Sequence, residues 1–228
     1  MTKLCFDYGH GGEDPGACYN GRRECDDVLN LGMAVAAEVR RHGVEVVETR
    51  TTDATISLNG RSELENRDTY DYFISFHRNA FQPEQAKGVE TYTYTNTGEK
   101  AKSLAKRIQT ELVALDFVNR GVKAANYHVL RETKAPAVLI EIGFIDNSGD
   151  NNLFDAKRNE IINAISRAIL GQIGVNYSEP IAQPQQSNGQ ILYRVMAGSY
   201  SVRANAENKV AKLKAAGFDA TIMSFNKP

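Results

Sequence analysis

The amino-acid sequence predicts an α/β fold: a mostly parallel sheet flanked by helices, followed by a small βαβ unit at the C-terminal end. Three observations predict it. Short strand-like apolar runs recur along the chain, stretches of helical periodicity lie between them, and the composition changes abruptly at residues 176–190. Alternation of strands with amphipathic helices is the pattern of a parallel sheet, because parallel neighbours need a crossover.

Taken in order, "KLCFDY" (3–8) reads as the first strand and 26–42 as a helix, with Val28, Leu31, Val35 and Val39 recurring at three- and four-residue steps. Strands follow at "VEVVETR" (44–50), "YFISF" (72–76) and "VETYTYT" (89–95). Leu104, Ile108 and Leu112 mark a helix over 99–115, "AVLIEIGF" (137–144) is a strand, and Ile161, Ile165 and Ile169 mark a helix over 157–173. The domain expected from these elements covers 1–175.

Residues 176–190, "NYSEPIAQPQQSNGQ", hold two prolines, four glutamines and little apolar content, so they read as a linker. Residues 191–228 then read strand, helix, strand. Ser201 is the expected N-cap, Val210 and Leu213 form the apolar side, and Gly217 stands where a left-handed residue ends a helix. So short a unit buries little, and it is expected to need a partner.

Bulk composition fits a globular protein: 228 residues, 42% hydrophobic and 24% charged. No run is apolar and long enough to cross a bilayer, and "MTKLCFDYGH" lacks the pattern of a signal peptide. The expectation is synthesis in the cytoplasm without a signal peptide and no membrane insertion. Cys5, Cys18 and Cys25 are odd in number and lack paired C-x2-C spacing, so they read as buried or loop thiols, although Cys18 and Cys25 lie close to candidate ligands. The net charge of −1 hides an asymmetry, with about +4 on 191–228 and −4 on 1–178. A basic tail unit on an acidic body fits an anionic polymer as partner, and fits a solvated face equally well.

The residues that carry chemistry lie near strand ends. "FDYGHGGEDPGACYNGRRE" (6–24) puts five glycines around one histidine between a strand and a helix, more than a connecting loop needs. His10 follows the first strand, Glu24 opens the next helix, and His77 follows "YFISF". In open α/β sheets ligands bind at the carboxyl ends of strands, so these three can converge. Two imidazoles and a carboxylate with an open fourth position form a catalytic zinc set. Such a hydrolase also needs a base, and Glu141 interrupts the apolar run "AVLIEIGF", where an unpaired charge is costly; a structural salt bridge is the alternative.

These motifs resemble a family. "GHGGEDPGA" with Glu24 fourteen residues after His10, then "LNL", then "YFISFHRNAF" and "RGVKAANYHVLRETKAPAVLIEIGFIDN" are similar, in order, to the motifs of the zinc-dependent N-acetylmuramoyl-L-alanine amidases of bacteria and phage endolysins. The resemblance implies that His10, Glu24 and His77 bind Zn and that Glu141 is the catalytic acid/base. Asn79 and Arg131 match family positions near the site. Two positions depart from the pattern: Cys25 stands for the usual lysine, and Arg78 for a small residue, with Arg78 long enough to reach bound substrate.

"LYRVMAGSYSVRANAENKVAKLKAAGFDATIM" is similar to the first half of SPOR-type repeats, which bind peptidoglycan glycan strands. A half unit implies that two chains pair through 191–228 as a homodimer. The expected protein is therefore a peptidoglycan amidase, an endolysin or lytic autolysin that reaches the cell wall after release or lysis, with no nucleic-acid partner. A zinc peptidase cutting within the stem peptide and a non-catalytic wall-binding protein are the rival readings.

Overall fold

A computed structural model describes residues 2–179, 198, 200–218 and 220–222, and divides the chain into two units, 1–180 and 181–228. The first unit runs β1 (Lys3–Tyr8), a small hairpin of β2 (Cys18–Tyr19) and β3 (Arg22–Arg23), α1 (Glu24–Arg41), β4 (Glu45–Glu48), α2 (Leu58–Asn66), β5 (Tyr72–Asn79), β6 (Val89–Tyr94) and α3 (Glu99–Val113). It continues with β7 (Asn119–Ala125), α4 (His128–Arg131), β8 (Ala137–Phe144), α5 (Ser148–Ala156) and α6 (Arg158–Gln172). The second unit contains α7 (Arg203–Ala215).

Six strands form one sheet in the order β4-β1-β5-β8-β6-β7, parallel throughout except where β6 runs against β8. Strand alternation splits the core in two. Leu4, Phe6, Ile74, Phe76, Val138 and Ile140 face α1, α3 and α6, where Val28, Val35, Leu104, Ile108, Ile161 and Ile165 complete the larger core. Cys5, Phe73 and Leu139 face the other way and pack with Val129 and Leu130 of α4. That second face is thinly covered, and the candidate site opens on it.

The strands and helices expected from periodicity are all present in this unit. Of the elements without an expectation, three follow from other physics. The buried side of α2 is Arg61, Ser62 and Glu65, which hydrophobic periodicity cannot register; its start is capped by Ser57, whose hydroxyl accepts from Gly60 N at 3.0 Å. Helix α5 buries only Asp150 and Phe154 and is capped by Asn147. Strand β7, "NRGVKAA", is a polar edge strand that reads as loop by composition.

Two expected boundaries shift. His77 lies inside β5 rather than beyond it, because the strand continues to Asn79. Residues 176–179, expected as linker, pack on α1: the Tyr177 ring stacks on His42 at 5.2 Å, and Ser178 N donates to His42 at 3.0 Å.

In the second unit, Gly217 has φ +84° and α7 ends in a Schellman motif, Phe218 N donating to Leu213 O and Gly217 N to Lys214 O, each at 3.0 Å. The N-cap residue is Val202 instead of Ser201, and no side chain caps the helix. None of its residues is buried. The strands expected around 191–197 and beyond 222 lie outside the described residues.

Candidate active site

The loop after β1 is set from beneath by two buried arginines. Arg50 donates to Tyr8 O at 2.9 Å, Gly9 O at 2.8 Å and Cys25 O at 2.9 Å, while Arg61 donates to Tyr8 O at 2.6 Å and His10 O at 2.7 Å. Arg61 also pairs with the fully buried Asp7, which accepts from Thr49 and Ser75 as well. Burial would raise the Asp7 carboxyl, but the Arg61 charge and these hydrogen bonds hold it below its ordinary value. The loop carbonyls are thus fixed by charge-assisted bonds on a paired support.

His10 itself has φ +58°, a left-handed conformation that non-glycine residues seldom adopt. Its Nδ1 donates to Asp14 Oδ2 at 2.8 Å, which leaves Nε2 3.2 Å from Glu24 Oε2. Four of the five glycines in the loop, all but Gly21, are explained by close approach, and two of them lie against the site itself. A Cβ on Gly9 would lie 2.2 Å from the His77 ring, and one on Gly16, at φ +68°, would lie 2.7 Å from both Glu24 Oε2 and the His10 ring.

Glu24 is the first residue of α1, where the helix dipole favours an anion. Its carboxylate accepts from Ala17 N and Arg78 N at 3.0 Å each and from His77 Nδ1 at 2.8 Å. The ligand atoms of His10, Glu24 and His77 all lie within 4.8 Å of one another, and among the described residues they form the one set of three or more that could hold a metal ion. Cys18 and Cys25 stand outside it.

The charge balance of the set fits a cation. Burial alone would raise the Glu24 carboxyl, yet the two imidazoles hold it well below the usual carboxylate range. Burial would likewise lower His10, but Glu24 and Asp14 lift it to about 9; Glu24 also raises His77 against burial. Two imidazoles around one buried carboxylate are groups that can exchange their protons for a divalent cation.

Glu141 stands opposite His77 in the register of β5 and β8. Its Oε2 is buried with no hydrogen-bond partner, which sets aside a structural salt bridge. Burial pushes its carboxyl up to about 7, with His77 pulling down and Glu24 and Glu90 pushing further. Such a group can take and return a proton near neutral pH.

The other expected residues divide. Asn79 lies two residues beyond His77 and donates through Nδ2 to Glu90. Arg78 is corrected: it does not reach towards substrate. Side chains alternate along β5, so Arg78 points to the large core, where it is 1% exposed, pairs with Asp27 at 2.6 Å, donates to Asn151 at 2.6 Å and stacks on Phe154. Arg131 bonds Asn126 and Glu132 and lines a groove with Tyr94, Lys134 and Ala137.

Sequence reasoning missed Asp14, which orients His10, and Glu90, paired with Glu141 across β6 and β8. Asp14 could have been found by its four-residue spacing from His10 in the glycine loop; Glu90 is hidden in an alternating strand.

A carboxylate between two imidazoles on an open α/β sheet, beside an unpaired buried carboxyl, is the equipment of a hydrolase. Comparison with known proteins then identifies which. Residues 4–171 match the N-acetylmuramoyl-L-alanine amidase family and residues 167–227 match the SPOR domain. The chain is 34% identical over 226 residues to the sporulation-specific N-acetylmuramoyl-L-alanine amidase of Bacillus subtilis (strain 168), covering 98% of this chain and 85% of that one. It is 37% identical over 174 residues to the endolysin of Bacillus phage SPP1, covering 73% and 63% respectively. The catalytic domain of CwlV, an N-acetylmuramoyl-L-alanine amidase from Bacillus (Paenibacillus) polymyxa var. colistinus, superimposes with a TM-score of 0.72 at 28% identity, covering 77% of this chain and 100% of that one. The chain belongs to the N-acetylmuramoyl-L-alanine amidase family, and it is a peptidoglycan-hydrolysing enzyme with a SPOR domain.

Proposed function

We propose that the enzyme is zinc-dependent and cuts the amide between the lactyl group of N-acetylmuramic acid and the first alanine of the stem peptide. The observation that carries this is the convergence of His10 Nε2, His77 Nδ1 and the Glu24 carboxylate, within 4.8 Å, beside the unpaired Glu141. Those three residues would hold the ion. When bound, zinc supplies Lewis-acid chemistry, polarising a carbonyl oxygen and making water acidic.

The chain's own residues do the rest. Glu141 takes a proton from the attacking water and passes it to the alanine nitrogen as the carbon–nitrogen bond breaks, leaving a lactyl carboxyl and a free peptide amine. Asp14 fixes the His10 ring so that Nε2 faces Glu24, and Arg78 N and Ala17 N hold Glu24 in place.

Zinc content and release of N-terminal alanine from purified cell walls test this together. Glu141→Ala is expected to keep its zinc and lose about 10²–10⁴ in rate, while His77→Ala loses the metal. Activity surviving in Glu141→Ala removes the assigned base, and products carrying internal stem-peptide termini would indicate a peptidase.

Residues 191–228 are proposed to hold the enzyme on glycan strands, with two copies pairing through them. The pairing rests on the brevity of the unit, which offers little core of its own. A monomeric mass by light scattering at micromolar concentration excludes it. No described helix is long and apolar enough to cross a membrane. We read the site of action as the cell wall after release or lysis. Relatives matching nearly the whole chain are bacterial amidases, one of them sporulation-specific, which favours a lytic autolysin over a phage endolysin.

A further inference from the structure

We infer that a groove on the far side of Glu141 from the proposed metal ligands binds an anionic part of the leaving peptide, and that Arg120 reads its carboxylate. The inference rests on the acid/base role proposed for Glu141.

The functional side chains follow the strand order. His77 stands on β5, Glu141 faces it on β8, Glu90 faces Glu141 on β6, and Arg120 lies on β7. A proton passed from Glu141 to the leaving nitrogen puts the peptide attached to that nitrogen on the β6–β7 side. There a groove of about 490 Å³ is lined by Asn79, Phe81, Lys87, Glu90, Val118 and Arg120. Its apolar walls are open, with Phe81 68% and Val118 46% exposed. Exposed apolar surface beside a few polar groups suits a short peptide.

The charge in the groove selects the kind of peptide. One carboxylate, Glu90, is shared by Arg120 and Lys123 and also accepts from Asn79 and Tyr92. Cations are therefore in excess. Arg120 spends only Nε on Glu90, and its guanidinium lies 4.8 Å from the Phe144 ring centroid, which fixes its plane. Among the described residues its two Nη groups and the Lys87 ammonium have no hydrogen-bond or ion-pair partner. A guanidinium tied at one edge and free at the other can take a carboxylate through two parallel N–H donors.

The groove is also preorganised. Its loop, 80–88, is pinned where Phe81 N donates to Asp146 Oδ2 at 2.9 Å, Gly88 N to Asp150 Oδ2 at 2.7 Å, and Ser148 N to Glu84 at 3.1 Å. A wall fixed before binding loses little entropy when the peptide arrives. The ligand class is thus a stem peptide with a free carboxylate near its new amino terminus, in preference to the carboxamide.

The test uses the full chain loaded with zinc and two synthetic muropeptides, identical except that the stem carboxylate nearest the scissile bond is free in one and amidated in the other. The native enzyme is expected to prefer the acid by about tenfold in kcat/KM, expressed in KM. Arg120→Gln and Lys87→Gln should each reduce that preference, Arg120→Lys should keep part of it, and added salt should weaken it. No preference in the native enzyme, or full preference in Arg120→Gln, overturns the inference. Should Arg120→Gln fail to fold, Lys87→Gln decides, since Lys87 is exposed and unpaired. Glu141→Gln separates the two readings: turnover of both substrates by that variant defeats the role of Glu141, while the acid preference remains measurable on its own.

Discussion

Glu141 illustrates how one residue sets function against stability. Its carboxyl is raised to about 7 chiefly by burial, so the folded protein holds it neutral where an unfolded chain would ionise it. The sign follows: below an ordinary carboxyl pKa of about 4 the group costs nothing, and the penalty grows as pH rises and is complete above about 7. In metal-free protein Glu141→Gln is therefore expected to be more stable than the native chain at pH 8, by roughly 1–3 kcal/mol, and indistinguishable at pH 4. Urea denaturation in the presence of a chelator reads this directly, and equal midpoints at both pH values would refute it. The residue was legible as a carboxylate in an apolar run. Its neighbour Glu90 was not: it lies far away in sequence, and only the pairing of β6 with β8 brings the two together.

At the scale of elements, the departure at Arg78 ties α1 and α5 to β5. Its guanidinium joins Asp27 of α1 to Asn151 of α5 and packs on Phe154. Arg22 holds Asp27 from the other side at 2.6 Å and reaches Asp155 at 2.7 Å. Because Arg78 N also donates to Glu24, the same residue aligns the start of α1 with the strand that carries His77. Arg78→Ala is expected to cost about 3–5 kcal/mol in denaturant unfolding, since it leaves a cavity against Phe154 and removes a buried charge from its partners. A loss below about 1 kcal/mol would mean the network carries little. The regular elements were legible wherever a buried face is apolar. Helix α2 was not, because Arg61, Ser62 and Glu65 are its buried side, and Glu65 serves as acceptor for Lys134 N and Ala135 N at 2.9 Å each.

For the whole molecule, the packing of 176–179 on α1 moves the division between units to about residue 180. A chain cut after residue 180 is expected to keep the melting temperature of its catalytic unit and its rate on a soluble muropeptide. On intact cell walls it should lose about tenfold or more, because the tail no longer raises local substrate concentration. Equal activity of the cut and full chains on walls would remove the proposed role of 191–228. A cut after 175 should in addition lower the melting temperature, since it deletes the Tyr177 stack on His42.

By itself the sequence determined the alternation of strands and helices, the polar break before a basic tail, and the identity of His10, Glu24, His77 and Glu141 as the candidate set. Each of these is a local property: periodicity, composition, or an uncommon residue type in a place where it is costly. Tertiary structure decided what local pattern cannot carry. Strand alternation turned Arg78 into the core, the extension of β5 placed His77 against Glu141, the strand order put Glu90 and Arg120 beyond it, and the presence or absence of partners for each buried carboxylate set the direction of its pKa. The physical reason is that side-chain direction and desolvation depend on partners distant in sequence, and only packing brings those partners together.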